Sequence, residues 1–279
     1  MTRVLSALVL LPIVIGTIWF LPPYATLVLA LVAAVLAFSE YAAIAWALGA
    51  YVPGGIGGTT VVLACVAIWM AGAQGDIANN GQYAVMPGVL DVVLLSALVV
   101  VGALSVARGH PGPSVLADVG ATIFAPVYIG LPLGALAAVR AELGAGGRDA
   151  LLLLMVVIVV SDSAQYYTGR AFGSRPLSPT ISPKKTVEGA IGGVLFGTLA
   201  MVAGARWVFP STPMPAVLLL GAVISLLGIV GDLFESLLKR SAGVKDSSHL
   251  IPGHGGVLDR IDSWLFAAPV YYVFVRFLA

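Results

Sequence analysis

The chain has 279 residues, of which 59% are hydrophobic and 10% are charged, and its mean hydropathy is +1.03. Soluble globular proteins carry about 25% charged residues, so this composition excludes an ordinary soluble domain. The net charge of +1 excludes a protein-wide positive field that would attract nucleic acid, and no nucleic-acid partner is expected.

Apolar segments recur along the chain, each near the roughly 20 residues that a helix needs to cross a bilayer. They predict an all-α, polytopic integral membrane protein with about nine transmembrane helices. We interpret residues 1–279 as a single membrane domain, with lipid-embedded helices and candidate dimer contacts in 1–148, and catalytic helices and cytoplasmic loops in 149–279. The predicted helices cover 4–20, 24–48, 57–73, 83–106, 119–139, 149–167, 187–208, 214–236 and 259–278.

Two features of the N-terminal half need an interpretation. The first apolar segment has a basic flank, as a secretory signal has, but no clear small-residue cleavage site precedes Leu21. Because more apolar segments follow, we expect a retained membrane helix. Cys65 is the only cysteine, which excludes an internal disulfide and a cysteine-rich zinc site, and its apolar surroundings predict a buried packing residue.

The basic residues predict the orientation of the helices. With Arg3 in the cytosol, nine helices place the loops near Arg108, Arg170 to Lys185, and Lys239 to Lys245 on the same side. The opposite loops carry few basic residues, so the positive-inside rule applies. The pattern predicts a multi-pass inner-membrane protein with its N-terminus inside, its C-terminus outside and its polar chemistry on the cytoplasmic side.

Acidic residues concentrate in the C-terminal half, at or beside predicted helix ends. Charge at the bilayer centre costs about 3 kcal/mol per residue on insertion scales. We therefore expect these side chains to face a polar cavity, to pair with cations, or both. Seven of the thirteen acids belong to this set: Asp162, Glu188, Asp232, Glu235, Asp246, Asp259 and Asp262.

Four of these acids form two helical stripes, because their spacing of three residues places each pair on one helix face. The first stripe continues to Ser236 and Lys239. Two acidic stripes near one membrane surface can hold Mg²⁺, which uses one or two carboxylates and leaves positions for water and substrate phosphates. The alternative is that the acids only pair with neighbouring lysines and arginines. The predicted metal ligands are Asp232, Glu235, Asp259 and Asp262.

A glycine-rich segment separates the two stripes, with His254 between Gly253 and Gly255, followed by Gly256. Glycine lets the backbone approach a ligand closely, and consecutive N–H groups can bind an anion. The alternative is a plain interhelical turn in which His254 is an interfacial hydrogen-bonding residue. The basic residues that flank this segment, and that are candidate phosphate ligands, are Arg240, Lys245 and Arg260.

The segment ISPKKTVEG precedes the seventh predicted helix. Ser182 is the predicted N-cap and Pro183 the first helical residue, which places Lys184 and Lys185 in the first turn. Cations oppose the helix dipole there, so phosphate binding explains them better than helix stability does. An anchor to anionic lipid is the alternative. No GxxxxGK[ST] sequence occurs, which argues against a Walker-type ATPase.

The segment SLLKRSAGVKDSSHLIPGHGGVLDRID, residues 236–262, closely resembles the signature of the phosphatidate cytidylyltransferases. That signature reads S-x-x-K-R-x4-K-D-x-x-x-x-[LIF]-P-x-H-G-G-x-x-D-R-x-D. The neighbouring GDLFES and ISPKKTVEG segments also resemble the family, whereas the first ~150 residues resemble it only in hydropathy pattern. Two segments depart from the family: DSAQYY, which begins at Asp162, and GSRP, in which Arg175 is the one charge.

The resemblance implies that CTP and phosphatidate give CDP-diacylglycerol and pyrophosphate in phospholipid biosynthesis, with the bilayer supplying the lipid. It implies a homodimer and a two-cation centre at Asp232 and Asp259, supported by Glu235 and Asp262, with Mg²⁺ as one ion and K⁺ as the candidate second. The implied catalytic residues are Asp232, Lys239, His254, Asp259 and Asp262. The implied substrate-binding residues are Ser182, Lys184, Lys185, Thr186, Glu188, Ser236, Arg240, Lys245, Asp246, Gly255, Gly256 and Arg260.

Two other functions remain open at the level of sequence. One is an ion-coupled membrane transporter, because intramembrane acids often mark ion paths. Charges that cluster at helix ends and the lack of a visible inverted repeat argue against it. The other is a related head-group enzyme, such as a polyprenol kinase or a cytidylyltransferase that acts on ether lipids.

Overall fold

The computed structural model describes residues 2–73, 88–109, 111–143, 145–253 and 255–279. Nearly all of the described chain is helical, and one short antiparallel hairpin interrupts it, formed by β1 (Pro176–Ser178) and β2 (Ser182–Thr186). The helices are α1 (Thr2–Phe20), α2 (Pro23–Ala47), α3 (Gly54–Ala73), α4 (Val89–Arg108), α5 (Val115–Ala125), a π-helical segment (Pro126–Gly130), α6 (Leu131–Glu142), α7 (Ala145–Phe172), α8 (Val187–Val208), α9 (Met214–Ser241) and α10 (Leu258–Phe277).

Seven helical segments of the described chain are long and apolar enough to span a membrane. One of them, Val115–Glu142, joins α5, the π-helical segment and α6. Neither α1 nor α10 is among the seven: the described apolar part of α1 is short, and α10 carries four charged residues. The nearly all-α membrane fold is thus confirmed, whereas the predicted count of about nine helices is not. The predicted start of a helix at residue 83 lies outside the described residues.

Proline and threonine set several helix boundaries. Pro23 begins α2 and Pro215 lies in the first turn of α9, where a missing N–H costs nothing and the fixed φ suits a helix. Pro126 opens the π-helical segment, since its ring removes one bond of the regular helical ladder. Thr186 caps α8 by accepting a hydrogen bond from the Gly189 N–H at 3.1 Å.

Glycines allow two pairs of helices to pack backbone against backbone. A Cβ at Gly134 would lie 2.5 Å from the carbonyl oxygen of Cys65 in α3. A Cβ at Gly130, one turn earlier, would lie equally close to the carbonyl oxygen of Val61, also in α3. At a second interface, a Cβ at Gly189 of α8 would lie 2.7 Å from the carbonyl oxygen of Gln165 in α7. Small residues four positions apart are typical of such interfaces. Cys65 is fully buried and free, as predicted.

Five aromatic rings join the N-terminal helices to the helices of the signature motif. Phe124 and Tyr128 stack with their centroids 5.3 Å apart, and Phe234 of α9 contacts both. Aromatic rings packed in this way stabilise the contact between their helices by more than the burial of their apolar surface alone would. The cluster holds α2 and the helical segment 115–142 against α9 and α10. It consists of Tyr41, Phe124, Tyr128, Phe234 and Phe266.

Two predictions of local structure are wrong. Ser182 does not cap a helix, because residues 182–186 form β2, so Lys184 and Lys185 precede α8. Threonine is itself a good N-cap, and an exposed two-stranded hairpin tolerates a proline. Asp162 does not end a helix either, since α7 continues for ten more residues, to Phe172.

Candidate active site

Three carboxylates from three helices converge near one lysine. Asp162 of α7, Asp232 of α9 and Asp262 of α10 lie close enough for their charges to interact. The hairpin adds Lys185, whose ammonium group forms an ion pair with Asp232. Three carboxyl groups face one lysine, so in their ionised forms they would outnumber that cation, and this imbalance favours the binding of a further cation. Asp162 was not predicted as a site residue, and only tertiary packing brings it to the two motif acids.

A second ion cluster lies closer to the end of α9. Lys239 forms ion pairs with Glu235, one turn earlier, and with Asp259 of α10. The three side chains are at most 10% exposed. Because an unpaired charge in such a place would be strongly destabilising, this network holds the two helices in register. The ion-pair alternative is therefore the arrangement that the structure shows for Glu235 and Asp259.

Asp259 also organises the loop between α9 and α10. Its Oδ2 accepts hydrogen bonds from the Ser247 N–H at 2.9 Å, the Ser247 hydroxyl at 2.8 Å and the Gly256 N–H at 2.7 Å. A Cβ at Gly255 would lie 2.6 Å from the same oxygen, and the φ of Gly255 is +79°. Both the space and the backbone conformation therefore require glycine at residue 255.

Glu40 of α2 is a site residue that no motif reveals. The residue is 4% exposed, and its carboxylate accepts hydrogen bonds from two serine hydroxyls and two backbone N–H groups of the α9–α10 loop and the start of α10. One signal in the sequence does point to it, because Glu40 is the sole charged residue of a 25-residue apolar helix. Intramembrane ionisable residues usually have a function.

The loop between α9 and α10 lines a cavity of about 530 Å³. Small-molecule sites typically measure about 300–1,000 Å³. The Ile251 N–H donates to the Gly255 carbonyl at 2.8 Å, which closes a tight turn in the cavity wall. His254, a predicted catalytic residue, lies outside the described residues. The cavity is lined by Asp246, His249, Ile251, Pro252, Gly253, Gly255 and Arg260.

Several predicted phosphate ligands are exposed around these clusters. Lys184, Lys245 and Arg260 are exposed to solvent, and so is Arg240, whose Nη1 donates to a loop carbonyl at 3.0 Å. Ser236 donates to Asp232 at 3.4 Å. Exposed cations of this kind can reach an incoming anion without first breaking a buried ion pair.

Glu188 makes local structural contacts. Its carboxylate accepts hydrogen bonds from Arg175 Nε at 2.8 Å, the Ser174 N–H at 3.0 Å and the Arg175 N–H at 3.2 Å. These bonds tie the turn before β1 to the first turn of α8 and thereby hold the hairpin that carries Lys185. Ser182 lies opposite Ser178 in the hairpin.

No three or more His, Cys, Asp or Glu side chains within the described ranges are arranged to hold a metal ion unaided. Mg²⁺ needs only one or two carboxylates when substrate phosphates complete its coordination. Asp232 and Asp262 offer hard oxygen donors from adjacent helices, and their carboxyl groups lie close enough to interact. The residues at this position therefore fit such an ion.

The chain is similar in sequence to a known protein family and to several curated proteins. Residues 1–278 match the family model described as the cytidylyltransferase family. The phosphatidate cytidylyltransferase of Helicobacter pylori strain J99 is 38% identical over 190 residues, which are 68% of this chain and 66% of that protein. The phosphatidate cytidylyltransferase of Bacillus subtilis strain 168 is 40% identical over 157 residues, 56% of this chain and 57% of that protein.

A third relative is the uncharacterized protein YnbB of Escherichia coli strain K12, which is 43% identical over 132 residues, 47% of this chain and 44% of that protein. The aligned regions thus span from 44% to 66% of the length of these three relatives. The family match, in contrast, runs over almost every residue of the chain and includes the charged clusters described above. The chain belongs to the cytidylyltransferase family.

Proposed function

We propose that the protein is an integral-membrane nucleotidyltransferase that converts CTP and phosphatidate to CDP-diacylglycerol and pyrophosphate. One observation carries the proposal: in a member of the cytidylyltransferase family, the charged residues of α9 and α10 form two clusters, one with Lys185 of the hairpin and one with Lys239 beside the cavity-lining loop. Two of its relatives are named phosphatidate cytidylyltransferase.

The reaction needs electrostatic help more than a strong base. A phosphate oxygen of phosphatidate, already anionic, attacks the α-phosphorus of CTP and forms the new P–O bond. The bond between the α-phosphorus and the oxygen that bridges to the β-phosphorus breaks, and its electron pair leaves with pyrophosphate. The obstacle is repulsion between two polyanions and the charge that builds on the leaving group, which positioned cations relieve.

The residues of the chain divide this work. Lys185 neutralises part of the charge in the three-carboxylate cluster, and the buried network of Lys239 keeps α9 and α10 in register. Asp232 and Asp262 would hold Mg²⁺, which would neutralise charge on the substrate phosphates, and K⁺ is the candidate second cation. Asp259 and Glu235 are the further proposed ligands, and to bind a metal ion they would have to give up their ion pairs with Lys239. The proposed phosphate ligands at the exposed rim are Lys184, Arg240, Lys245 and Arg260.

The proposal includes a membrane orientation. Apolar helices around the site admit the acyl chains of phosphatidate laterally, and CTP arrives from the cytosol at the α9–α10 loop. The basic residues of that loop support a cytoplasmic location, with the N-terminus inside and the C-terminus outside the inner membrane. We further propose a homodimer that uses surfaces of residues 1–148, while 149–279 carries most of the catalytic groups.

Purified protein tests the function directly. Incubation with radiolabelled CTP and phosphatidate, with and without Mg²⁺, should give chloroform-soluble label only when all three are present. ATP with a polyprenol acceptor, and an ether-lipid acceptor with CTP, test the related enzymes. Label that forms better with either of these pairs would overturn the proposal, and ion flux in proteoliposomes without any product would favour a transporter.

A further inference from the structure

We propose that Glu40 is a positioning residue of the active site, which holds both ends of the cavity-lining loop segment and the first turn of α10. This inference rests on the proposed function for its catalytic consequence. The tether itself rests only on the contacts of Glu40.

The hydrogen bonds of Glu40 are divided evenly between its two oxygens. Oε1 accepts from the Ser248 hydroxyl at 2.6 Å and the Val257 N–H at 2.9 Å. Oε2 accepts from the Ser247 hydroxyl at 2.9 Å and the Leu258 N–H at 2.7 Å. Each oxygen therefore joins one residue before the segment 249–256 to one residue after it. That segment contains five of the seven residues that line the cavity.

The backbone bonds give α10 a cap that its own sequence lacks. Val257, at the N-cap position, has no side-chain hydrogen bond to the first turn of α10. The first N–H groups of a helix have no partner within the helix, and a carboxylate there also interacts favourably with the helix dipole. Glu40 satisfies the Val257 and Leu258 N–H groups from another helix. It thereby fixes the start of the helix that carries Asp259 and Asp262.

A serine couples Glu40 to the motif acid Asp259. The Ser247 hydroxyl lies 2.9 Å from Glu40 Oε2 and 2.8 Å from Asp259 Oδ2, so the two carboxylates share one O–H donor. A Cβ at Gly256 would lie 2.5 Å from the carboxyl carbon of Glu40 and would overlap the Ser247 hydroxyl. The close approach of Glu40 therefore explains why the loop has glycine at this position.

The variant Glu40→Gln tests the inference with little change in shape. A glutamine keeps one acceptor oxygen, but its NH₂ group cannot accept from the Val257 or Leu258 N–H. We expect kcat to fall at least about tenfold per folded molecule, because small displacements of catalytic groups cost that much or more. Ser39→Ala is the matched control and should leave kcat and KM unchanged, since within the described part of the chain the Ser39 hydroxyl bonds only to Leu36 O of its own helix.

A comparison of single and double variants separates a positioning role of Glu40 from an effect on protein stability alone. Ser248→Ala alone should lower kcat, and adding it to Glu40→Gln should cause little further loss, because residues that act as one unit give non-additive effects. If Glu40→Gln lowers only the yield or thermal stability of the protein, with kcat and KM per folded molecule unchanged, the inference is overturned.

Amide hydrogen exchange tests the tether without any assay of activity. In Glu40→Gln, at least one of the Val257 and Leu258 amides should exchange at least about tenfold faster than in the unmodified protein, because one of the two N–H groups loses its acceptor. Equal exchange rates would overturn the tether. If the unmodified protein makes no CDP-diacylglycerol, the proposed function fails, and the exchange rates alone then decide the role of Glu40.

Discussion

Lys184 and Lys185, which are adjacent in β2, have different surroundings, although the same role was predicted for both from the sequence. Successive side chains of a strand point to opposite faces. Lys185 pairs with Asp232 and its side chain is 16% exposed, whereas Lys184 is exposed to solvent. The two residues therefore offer a matched test of the three-carboxylate cluster.

We expect Lys185→Met to lower CTP incorporation about 100-fold, the usual scale for loss of one electrostatic group of an active site, because the three-carboxylate cluster loses the lysine that pairs with Asp232. Lys184→Met should lower it less than about fivefold, because an exposed charge is screened by water and salt. The measurement is radiolabel transfer into chloroform-soluble lipid at saturating CTP. Equal losses in both variants would contradict the arrangement described for β2.

The two acids that open α10 should also differ when each loses its charge. Asp262→Asn removes one of three interacting carboxylates, so folding should tolerate it while nucleotidyl transfer is lost. Asp259→Asn breaks a buried pair with Lys239 and weakens three further hydrogen bonds, so the free energy of unfolding should also fall by about 3 kcal/mol. Thermal unfolding in detergent, run beside the transfer assay, checks both. A similar loss of stability in the two variants would be evidence against this distinction.

At the scale of helices, glycine decides how closely two elements approach. Gly134 faces the Cys65 backbone of α3, whereas a Cβ at Gly102 of α4 would meet none of the described residues within 4 Å. Gly134→Ala should therefore lower the free energy of unfolding by about 1–3 kcal/mol, the usual cost of overpacking.

Gly102→Ala is the control for that substitution. It should leave stability unchanged or raise it by up to about 1 kcal/mol, because alanine is the better helix former. Scanning fluorimetry of the detergent-solubilised protein measures both variants. A stable Gly134→Ala protein would show that α3 and α6 can separate without cost.

At the scale of the whole molecule, α9 is 28 residues long and separates two exposed loops. At 1.5 Å per residue, its ends lie about 42 Å apart, enough to place Ser211 and Lys245 on opposite sides of a bilayer. The only cysteine, Cys65, is fully buried, so new cysteines can be labelled against a low background.

The proposed orientation predicts how two such cysteines react. In right-side-out vesicles, a membrane-impermeant maleimide should label Ser211→Cys and not Lys245→Cys, and inverted vesicles should give the opposite result. Labelling of Lys245→Cys from the outside would reverse the proposed topology and place the site on the wrong side for CTP.

The membrane class, the family signature and the burial of Cys65 could all be predicted from the order of residues along the chain. Each of these properties depends on local features of the sequence, namely the length of apolar runs, the charge at their ends and the spacing of motif residues along one helix. For the same reason the grouping of Asp232 and Glu235 on one helix could be predicted.

The contacts between groups that are distant in the chain depend on how the helices pack in three dimensions. Asp162, Asp232 and Lys185 come together because α7, the hairpin and α9 pack side by side, and no local pattern encodes that packing. Glu40 meets Leu258 across 218 positions of the chain. Contacts of this kind depend on how whole helices fit against one another, through close glycine approaches and aromatic rings, so they cannot be inferred from spacing within any one segment.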